Sequence, residues 1–370
     1  MHWFVVLLVV VLIILILGIG YLYTRIRTLF LLGKKKEDVP EKTRKRAGLC
    51  SAAVIAILFT LCAIRPYIML VPVLHLIVIW AVLELLTDLV NRILKKNDAK
   101  VPFWVTGWLA ICITVVYMLF CYYTAVHVCK TEYTVKTNKD VPTLRIALIA
   151  DSHIGTCFDG EGFADHIKTI GEQHPDVLLI CGDFVDDDTK KSDMIRSCQA
   201  LGEIETTYGV FYVPGNHDAG YGNGRGFSYE DLLSELRENG VEVLEDSCAV
   251  IAGKYCIVGR NDRSMERREI SSFKSYIDPE WYTIVLDHQP NDYDAEAAAG
   301  CDLVLSGHTH GGQMFPIGPI SELLGANDAT YGMRVIDGTT FIVTSGIADW
   351  ALPYKSGTIS EYCIIEIQPE

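Results

Sequence analysis

The sequence predicts a layered α/β sandwich that follows four transmembrane helices. Three observations support this prediction: long uncharged runs fill the first 130 residues, short apolar runs rich in β-branched residues recur after residue 142, and the charge changes sign between the two parts. Residues 1–130 contain 15 Lys and Arg against 6 Asp and Glu, which is a net charge of +9. Because the formal net charge of the whole chain is −14, residues 131–370 carry a net charge of −23. We therefore expect a transmembrane region at 1–130, a linker at 131–142 and an acidic α/β domain at 143–370.

Four uncharged runs, at 1–24, 47–64, 67–83 and 101–129, indicate helices that cross the hydrocarbon core, which takes about 20 residues. The predicted spans cover about residues 3–24, 47–64, 67–88 and 103–126. The first run lacks the basic n-region and the small-residue cleavage pattern of a signal peptide, so we interpret it as a retained anchor. His75, Glu84 and Asp88 in the third span are interpreted as facing other helices rather than forming a transport site.

The basic residues of this region predict its orientation. Nine Lys and Arg lie between residues 25 and 46, and four more lie at 92–100, whereas the turn between the second and third spans has only Arg65. Lys and Arg collect in cytoplasmic loops. Four crossings then place both termini outside the cytoplasm, so the sequence predicts a multi-pass protein of the cell membrane with an extracytoplasmic acidic domain.

The acidic domain contains eight short apolar runs that are typical of strands. Near-continuous apolar runs indicate strands that are covered on both faces. Polar segments at 162–173 and 229–239 have the length of helices, and this alternation favours layers of sheet and helix. The runs are RIALIAD (145–151), DVLLICGD (176–183), GVFYVPGNHD (209–218), YCIVGRND (255–262), YTIVLDHQP (282–290), CDLVLSGHTH (301–310), TTFIVTSG (339–346) and YCIIEI (362–367).

Polar clusters stand at the ends of six of these runs. Ligand sites in α/β folds collect at the carboxyl ends of strands. Turn chemistry alone explains any single cluster of Asp, Asn or His, but five clusters of oxygen and imidazole donors together favour a metal site. The five are Asp151-Ser152-His153, Gly182 to Asp186, Gly215-Asn216-His217-Asp218, His288-Gln289-Pro290 and Gly307-His308-Thr309-His310.

Composition excludes two classes of site. The acidic domain lacks the basic footprint of a nucleic-acid-binding protein, so no nucleic-acid partner is expected. The twelve cysteines have no zinc-ribbon spacing. Several lie in apolar runs, where Cys behaves as a small buried hydrophobe, and the sequence does not say whether any of them form disulfides.

The ordered set D-x-H, G-D-x-x-D, G-N-H-D, H-x-P and G-H-T-H resembles that of calcineurin-like metallophosphoesterases, over about residues 144–367. GHTHGGQ (307–313) behind a membrane anchor is most similar to the bacterial membrane-associated branch that includes UDP-2,3-diacylglucosamine hydrolase-like enzymes. The resemblance implies a four-layer α/β/β/α sandwich. It also implies hydrolysis of a phosphomonoester or phosphodiester by a hydroxide held between two metal ions, on a substrate that is lipid-linked or belongs to the cell envelope.

The resemblance also implies a ligand set, carried over residue by residue. Asp183 bridges the two divalent ions, about 3.5–4 Å apart in such sites. Mixed oxygen and imidazole donors suit Mn, Fe or Zn. The other ligands implied are Asp151, His153 and His310 for the first ion, and Asn216, His288 and His308 for the second.

The resemblance places His217 opposite the scissile phosphate, where an imidazolium protonates the leaving oxygen or offsets charge. Its neighbour Asp218 is expected to orient it. Asp186 and Asp287 are expected to lie behind the metal ligands and support them.

Two loops and two other functions remain as alternatives. Residues 219–227 either offer Tyr221 and Arg225 to a substrate or form a flexible insertion. Residues 345–355 resemble the closing loop of the family, but Lys355 stands where related sequences tend to have Arg. A membrane sensor that binds metal without turnover is the alternative function. A transporter with a regulatory domain is the third, although the spans lack the repeats that mark transport sites.

Overall fold

The computed structural model describes residues 2–32, 34, 38–93, 101–222, 224–276 and 278–370, without the side chains of 2–15, 67, 103 and 276. The chain divides into two compact units, Met1–Phe120 and Cys121–Glu370. The second unit begins earlier than the predicted boundary at residue 130, because it includes the end of a helix. The backbone amide of Lys355 donates to the carbonyl of Cys121, and that of Ser360 to the carbonyl of Thr124, both at 2.9 Å.

Three helices of the described residues are long and apolar enough to cross a membrane: Glu41–Ile64, Ile68–Ile93 and Trp104–Val126. They lie in α2, α3 and α4 of the N-terminal helices, which are α1 (His2–Phe30), α2 (Glu41–Ile64), α3 (Pro66–Ile93) and α4 (Phe103–Val126). Three apolar helices, not four, are therefore shown ahead of the sandwich. The predicted span at 3–24 lies in α1. Because the side chains of residues 2–15 are outside the described part, this span stays a prediction.

Glu84 contacts another helix, as the sequence analysis expected. Its Oε2 lies 2.6 Å from Nη2 of Arg25 in α1. An acidic side chain in an apolar helix is stabilised by a basic partner, so this pair accounts for Glu84 without a transport role.

All eight apolar runs of the acidic domain form strands. The predicted helices at 162–173 and 229–239 correspond to the helices Gly160–Gly171 and Tyr229–Glu238. The strands are β1 (Cys129–Thr137), β2 (Leu144–Ile149), β3 (Val177–Cys181), β4 (Val210–Val213), β5 (Val241–Val243), β6 (Ser247–Ile251), β7 (Tyr255–Gly259), β8 (Tyr282–Leu286), β9 (Leu303–Ser306), β10 (Gly332–Ile336), β11 (Thr339–Val343) and β12 (Glu361–Pro369). The helices are α5 (Gly160–Gly171), α6 (Lys191–Glu203), α7 (Tyr229–Glu238), α8 (Tyr293–Ala299) and α9 (Ile317–Leu323), with 3-10 helices at Ile270–Tyr276 and His310–Gly312.

The strands form two mixed six-stranded sheets, which confirms the predicted α/β sandwich. The first sheet has the order β1-β12-β2-β3-β4-β5 and the second the order β10-β11-β9-β8-β7-β6. Strands β2 to β5 run parallel, as do β7, β8, β9 and β11. Parallel neighbours end at the same edge of their sheet, so their polar ends are brought together.

The two sheets pack face to face through buried apolar side chains. Leu148 and Leu179 of the first sheet and Ile284 and Leu305 of the second belong to one core cluster, and all four are fully buried. Burying one such side chain contributes about 1.5–3 kcal/mol. This core holds the strand ends in fixed positions.

Helices cover the outer face of each sheet. Their contacts explain why the predicted runs are apolar at successive positions rather than at alternate ones. On the first sheet, Phe163 of α5, Leu201 of α6 and Leu232 of α7 pack with Ile149 and Ile180. On the second sheet, Tyr293 of α8 and Phe273 of a 3-10 helix pack with Val285 and Phe341.

Side-chain caps fix where two of the helices begin. The carboxylate of Asp159 accepts from the amide of Gly162 at 3.0 Å, at the start of α5. At the start of α7, Ser228 and Asp231 form a reciprocal capping box. Such caps satisfy backbone amides that have no partner in the helix. They limit the length of the loops after β2 and β4, which carry polar clusters.

The predicted linker at 131–142 is mostly a strand. Residues 129–137 form β1, which pairs in parallel with β12 from Cys129 opposite Glu361 to Thr137 opposite Pro369. The segment CKTEYTVKT alternates exposed and less exposed residues, as an edge strand with one covered face does. Its Lys, Glu and Thr side chains gave it the composition of a linker.

Candidate metal centre

The structure brings the proposed metal ligands together at the carboxyl ends of both sheets. Two groups of three side chains have ligand atoms that all lie within 4.8 Å of one another, namely Asp151, His153 and His310, and Asp183, His288 and His308. They follow β2, β3, β8 and β9. Each group contains one carboxylate and two imidazoles, which is a donor set for a transition-metal ion.

Asp183 belongs to the second group and also lies close to the first. Its Oδ2 is 3.1 Å from Nε2 of His288 and 3.5 Å from Nε2 of His153. Burial by itself would raise the pKa of this carboxyl, but His288 and His153 hold the pKa well below its usual range. An ionised carboxylate with one oxygen facing histidines of both groups has the geometry of a bridge.

Five of the proposed ligands have left-handed backbone conformations, which non-glycine residues rarely adopt. Such conformations cost about 1–3 kcal/mol each and cluster at functional sites. The packed strands before each turn hold them in place. The five are Asp151 (φ 55), His153 (φ 33), Asp183 (φ 51), His308 (φ 68) and His310 (φ 50).

Gly307 permits the close approach of two of these turns. A Cβ atom at Gly307 would lie 2.6 Å from Oδ2 of Asp151. The next amide, that of His308, donates to Oδ1 of Asp151 at 2.9 Å. The glycine before the first histidine of GHTH is therefore required because the Asp151 carboxylate lies against the backbone there.

Several buried polar atoms of the site have no hydrogen-bond partner among the described residues. They include both ring nitrogens of His153, Nε2 of His288 and Oδ1 of Asn216. Buried polar atoms are nearly always satisfied, and imidazole nitrogens and amide oxygens are of types that bind metal ions. Nδ1 of His288 instead lies 2.8 Å from the carbonyl of Cys181, which leaves Nε2 as the ligand atom. The residues therefore fit a metal pair.

Two of the histidines are kept neutral, the form that binds metal. Burial lowers the pKa of His308 to about 4, with a further contribution from His288. Burial also lowers the pKa of His310, and His153 adds to this effect. Neutral imidazoles keep their lone pairs for a cation.

His217 contacts Asp186. Its Nδ1 lies 3.0 Å from Oδ1 of Asp186, and Oδ2 of the same carboxylate lies 3.3 Å from Nδ1 of His153. Burial opposes ionisation of Asp186, but its two histidine neighbours hold its pKa well below the usual range. This carboxylate fixes the ring of His217 so that Nε2 is the nitrogen able to face a substrate.

Comparisons with known proteins indicate the family of this chain. The family profile described as "Calcineurin-like phosphoesterase" matches residues 144–312. An uncharacterized metallophosphoesterase of Aquifex aeolicus is 30% identical over 250 residues, which cover 64% of this chain and 90% of that protein. The chain belongs to the calcineurin-like metallophosphoesterase family.

Two other relatives match a smaller share of their own length. An uncharacterized metallophosphoesterase of Helicobacter pylori is 31% identical over 235 residues, which cover 61% of this chain and 60% of that protein. A "Transmembrane protein with metallophosphoesterase domain" of Danio rerio is 28% identical over 236 residues, 59% of this chain and 52% of that protein. These similarities do not distinguish the UDP-2,3-diacylglucosamine hydrolase-like branch, which stays a prediction.

Asp218 has a different place in this metallophosphoesterase from the one expected. Its Oδ1 accepts from the amides of Phe184 (2.9 Å) and Val185 (3.0 Å), and its Oδ2 from the amide of Gly215 (2.8 Å). Asp186, and not Asp218, therefore holds the His217 ring. Successive side chains in a turn point in different directions. The position of Asp218 next to His217 in the sequence therefore did not predict a contact between their side chains. Asp218 joins the loop after β3 to the loop after β4.

Asp218→Asn is expected to destabilise the protein while the pair of His217 and Asp186 remains. An amide keeps one acceptor oxygen, so at least one buried amide loses its partner, at about 1.5–3 kcal/mol each. The melting temperature of the full chain in detergent should fall, with the two-metal content unchanged when measured below the transition. An unchanged melting temperature would contradict the structural role of Asp218.

Asp287 was expected to support a metal ligand and instead pairs with arginines. Its Oδ2 lies 2.7 Å from Nη1 of Arg260 and 3.1 Å from Nη1 of Arg267. Arg260 is 1% exposed. A buried carboxylate needs such partners. The metallophosphoesterase thus has a buried ion-pair cluster directly before His288 in the chain.

The loop 219–227 is held by Arg225 rather than offering it to a substrate. Nη2 of Arg225 donates to the carbonyl of Asp218 at 2.6 Å, and its guanidinium stacks on the ring of Phe227 at 4.5 Å. Tyr221 lies at the site: its hydroxyl accepts from Nδ2 of Asn216 at 2.8 Å, and its ring is 5.1 Å from that of His217. Of the two candidate substrate contacts, only Tyr221 borders the metal centre.

Lys355 is buried behind the metal centre. Its Nζ donates to the carbonyl of Ser345 at 2.6 Å and lies 3.2 Å from Oδ1 of Asp349. Oδ1 of Asp349 is in turn 3.6 Å from Nδ1 of His310. Burial raises the pKa of Asp349 to about 7 against the opposing charge of Lys355. Lys355 therefore lies behind the proposed ligand His310, paired with Asp349 and buried away from solvent.

Trp350 is a site residue that sequence reasoning missed. Its ring lies 5.5 Å from that of His217, and it is 47% exposed. A tryptophan in the polar stretch between β11 and β12 was the available signal, since exposed aromatic residues on loops often contact ligands.

Proposed function

We propose that this metallophosphoesterase is a membrane-anchored hydrolase of phosphomonoesters or phosphodiesters that uses two divalent metal ions. The observation that carries the proposal is that Asp183 of one donor group lies 3.5 Å from His153 of the other. Imidazole nitrogens of both groups have no hydrogen-bond partner among the described residues. Asp183 would bridge the ions. The remaining ligands would be Asp151, His153 and His310 for one ion, and Asn216, His288 and His308 for the other.

A third donor group, formed by His153, Asp186 and His217, would position side chains rather than bind an ion. His153 would use Nε2 for the ion beside Asp183, while its Nδ1 faces Asp186. His217 can then keep Nε2 for the substrate. In each of these two imidazoles, Nδ1 contacts the carboxylate of Asp186 and Nε2 is left for the ion or the substrate.

The chemistry follows from these positions. When bound, the metal pair polarises the phosphate and lowers the pKa of a water molecule. His217 would donate its Nε2 proton to the leaving oxygen as the P–O bond breaks, and Asp186 would stabilise the imidazolium before transfer. Tyr221 and Trp350 flank His217 and would limit the approach of water and of misaligned groups.

We also propose that the catalytic unit faces away from the cytoplasm. The basic residues at 25–46 lie before the first of the three shown apolar helices and in its first two turns. If that segment is cytoplasmic, three crossings from it end outside, whether or not α1 is a fourth span. The substrate would then be a lipid-linked or cell-envelope phosphoester, and the UDP-2,3-diacylglucosamine hydrolase-like branch is one candidate for its class.

Metal removal tests this function. The full chain in detergent micelles is stripped with a chelator and reloaded with Mn²⁺, Fe²⁺ or Zn²⁺, and hydrolysis of p-nitrophenyl phosphate and bis(p-nitrophenyl) phosphate is measured. We expect hydrolysis of at least one ester to disappear with the metal and to return with two equivalents. Tight binding of two metals without turnover on either ester would favour the metal-binding sensor instead.

A further inference from the structure

Helix α9 exposes nearly all of its apolar side chains. Ile317, Ile320 and Leu323 are 56%, 47% and 84% exposed, and the flanking Phe315 and Leu324 are 64% and 76% exposed. The buried residue of the helix is a glycine, Gly318. We call the five exposed side chains the α9 patch. Contiguous apolar patches on soluble proteins usually mark a surface that binds something.

The α9 patch borders the metal centre. A Cβ atom at Gly312 would lie 2.4 Å from the backbone of Gly318. Gly312 ends the 3-10 turn that begins with His310. Nε2 of the next residue, Gln313, donates to the carbonyl of Trp350 at 3.1 Å. The helix is thus packed directly on the turn that carries a proposed metal ligand.

The α9 patch is also close to the end of α4. The amide of Phe315 donates to Oγ of Ser356 at 3.0 Å, and the amide of the preceding residue, Lys355, donates to the carbonyl of Cys121 at 2.9 Å. Cys121 lies in the last turns of Trp104–Val126, which is long and apolar enough to cross a bilayer. A helix that crosses a bilayer ends near its surface. Two hydrogen bonds therefore connect the α9 patch, through Lys355 and Ser356, to the last turns of α4.

We propose that the α9 patch inserts into the bilayer surface beside α4 and admits the hydrocarbon chain of a lipid-linked phosphoester to the metal centre. This inference rests on the proposed phosphoesterase activity and specifies its substrate class: an ester whose phosphate is attached to a long alkyl or acyl chain.

Charge distribution favours a lipid surface as the occupant. Residues 315–324, FPIGPISELL, contain a single charged side chain, Glu322. Its Oε2 lies 2.8 Å from Nη2 of Arg334, and its Oε1 accepts from the amide of Thr330 at 2.8 Å. The carboxylate is thus neutralised by its own domain, which leaves an apolar face of the kind that partitions into a membrane interface.

A pair of matched substrates tests the inference. The full chain is reconstituted in vesicles of phosphatidylcholine and phosphatidylglycerol and given p-nitrophenyl hexadecyl phosphate in the bilayer or p-nitrophenyl methyl phosphate in the water. Both diesters have the same reacting group and leaving group. The double variant Leu323→Glu/Leu324→Glu is expected to lose at least about tenfold in hydrolysis of the hexadecyl diester and to hydrolyse the methyl diester at the wild-type rate.

Val250→Glu is the control variant. Val250 is 48% exposed on β6, at the opposite edge of the second sheet from β10, and its replacement should change neither rate. Wild-type hydrolysis of the hexadecyl diester by the double variant would overturn the inference. A loss of both activities would overturn it too, because the patch would then serve the structure rather than lipid access.

Photo-cross-linking separates this inference from the proposed function. With p-benzoylphenylalanine at position 323 or 250, lipid adducts are expected at 323 and not at 250. If the wild-type protein hydrolyses neither diester, the diesterase form of the proposed function fails, and the adducts still decide whether the patch meets lipid. Equal adducts at both positions, or none at 323, would refute lipid insertion.

Discussion

Asp183→Asn is expected to reduce kcat/KM for phosphoester hydrolysis by more than about 100-fold. Loss of a group that merely supports a metal ligand costs about 10- to 100-fold in affinity or activity, and Asp183 would bind both ions. Its Oδ2 lies within 3.5 Å of histidines from each donor group. An amide oxygen carries no charge to hold two cations together. Metal content should fall from two ions per chain towards one or none, as measured by plasma emission spectrometry.

Asp188→Asn is the matched control for this experiment. Asp188 lies on the same loop and is exposed, so the variant makes the same chemical change outside the donor groups. It should keep two metals and wild-type hydrolysis. If Asp183→Asn retained two metals and wild-type activity, the proposed bridge would be wrong.

His217→Ala is expected to lower kcat by about 10²- to 10⁴-fold while both metals stay bound. The ring belongs to neither of the two donor groups around Asp183, and Asp186 holds it through Nδ1. A general acid matters most when the leaving oxygen is basic. The loss should therefore be large for phenyl phosphoesters and much smaller for p-nitrophenyl phosphoesters, whose leaving group departs without a proton.

The leaving-group comparison distinguishes catalysis from a structural role. A misfolded variant would lose hydrolysis of both substrates in the same proportion, and its metal content would also fall. His166→Ala on α5, outside the donor groups, is the control and should retain both activities. An equal loss on the two esters with two metals bound would point to charge stabilisation by His217 rather than proton donation.

The sequence was sufficient to predict the sandwich and the place of the site. The strands β2, β3, β4, β8 and β9 are covered on both faces, so they are apolar at nearly every position and easy to recognise. Because parallel strands end at one edge, the polar residues that follow them meet. The edge strand β1 was not recognised since only one of its faces is covered and its other side chains are polar.

The partners of individual carboxylates could not be predicted from the sequence. Asp186 and Asp218 both lie close to His217 in the folded chain, and the backbone of the intervening turns decides which of them reaches the imidazole. Asp183 has a φ of 51°, a conformation that sequence pattern does not reveal for a non-glycine residue. The same limit applies to Lys355, whose burial depends on Asp349 and on the carbonyl of Ser345.

The end of helix α4 is part of the folded α/β unit, which begins at Cys121. The last turns of α4 supply carbonyls to the amides of Lys355 and Ser360, and Nζ of Lys355 lies 3.2 Å from Oδ1 of Asp349 in the same loop. Proteolytic release at residue 130 would therefore strip backbone partners from the loop that contains Lys355 and Asp349. A form shed in this way is not expected to hydrolyse phosphoesters at the rate of the full chain.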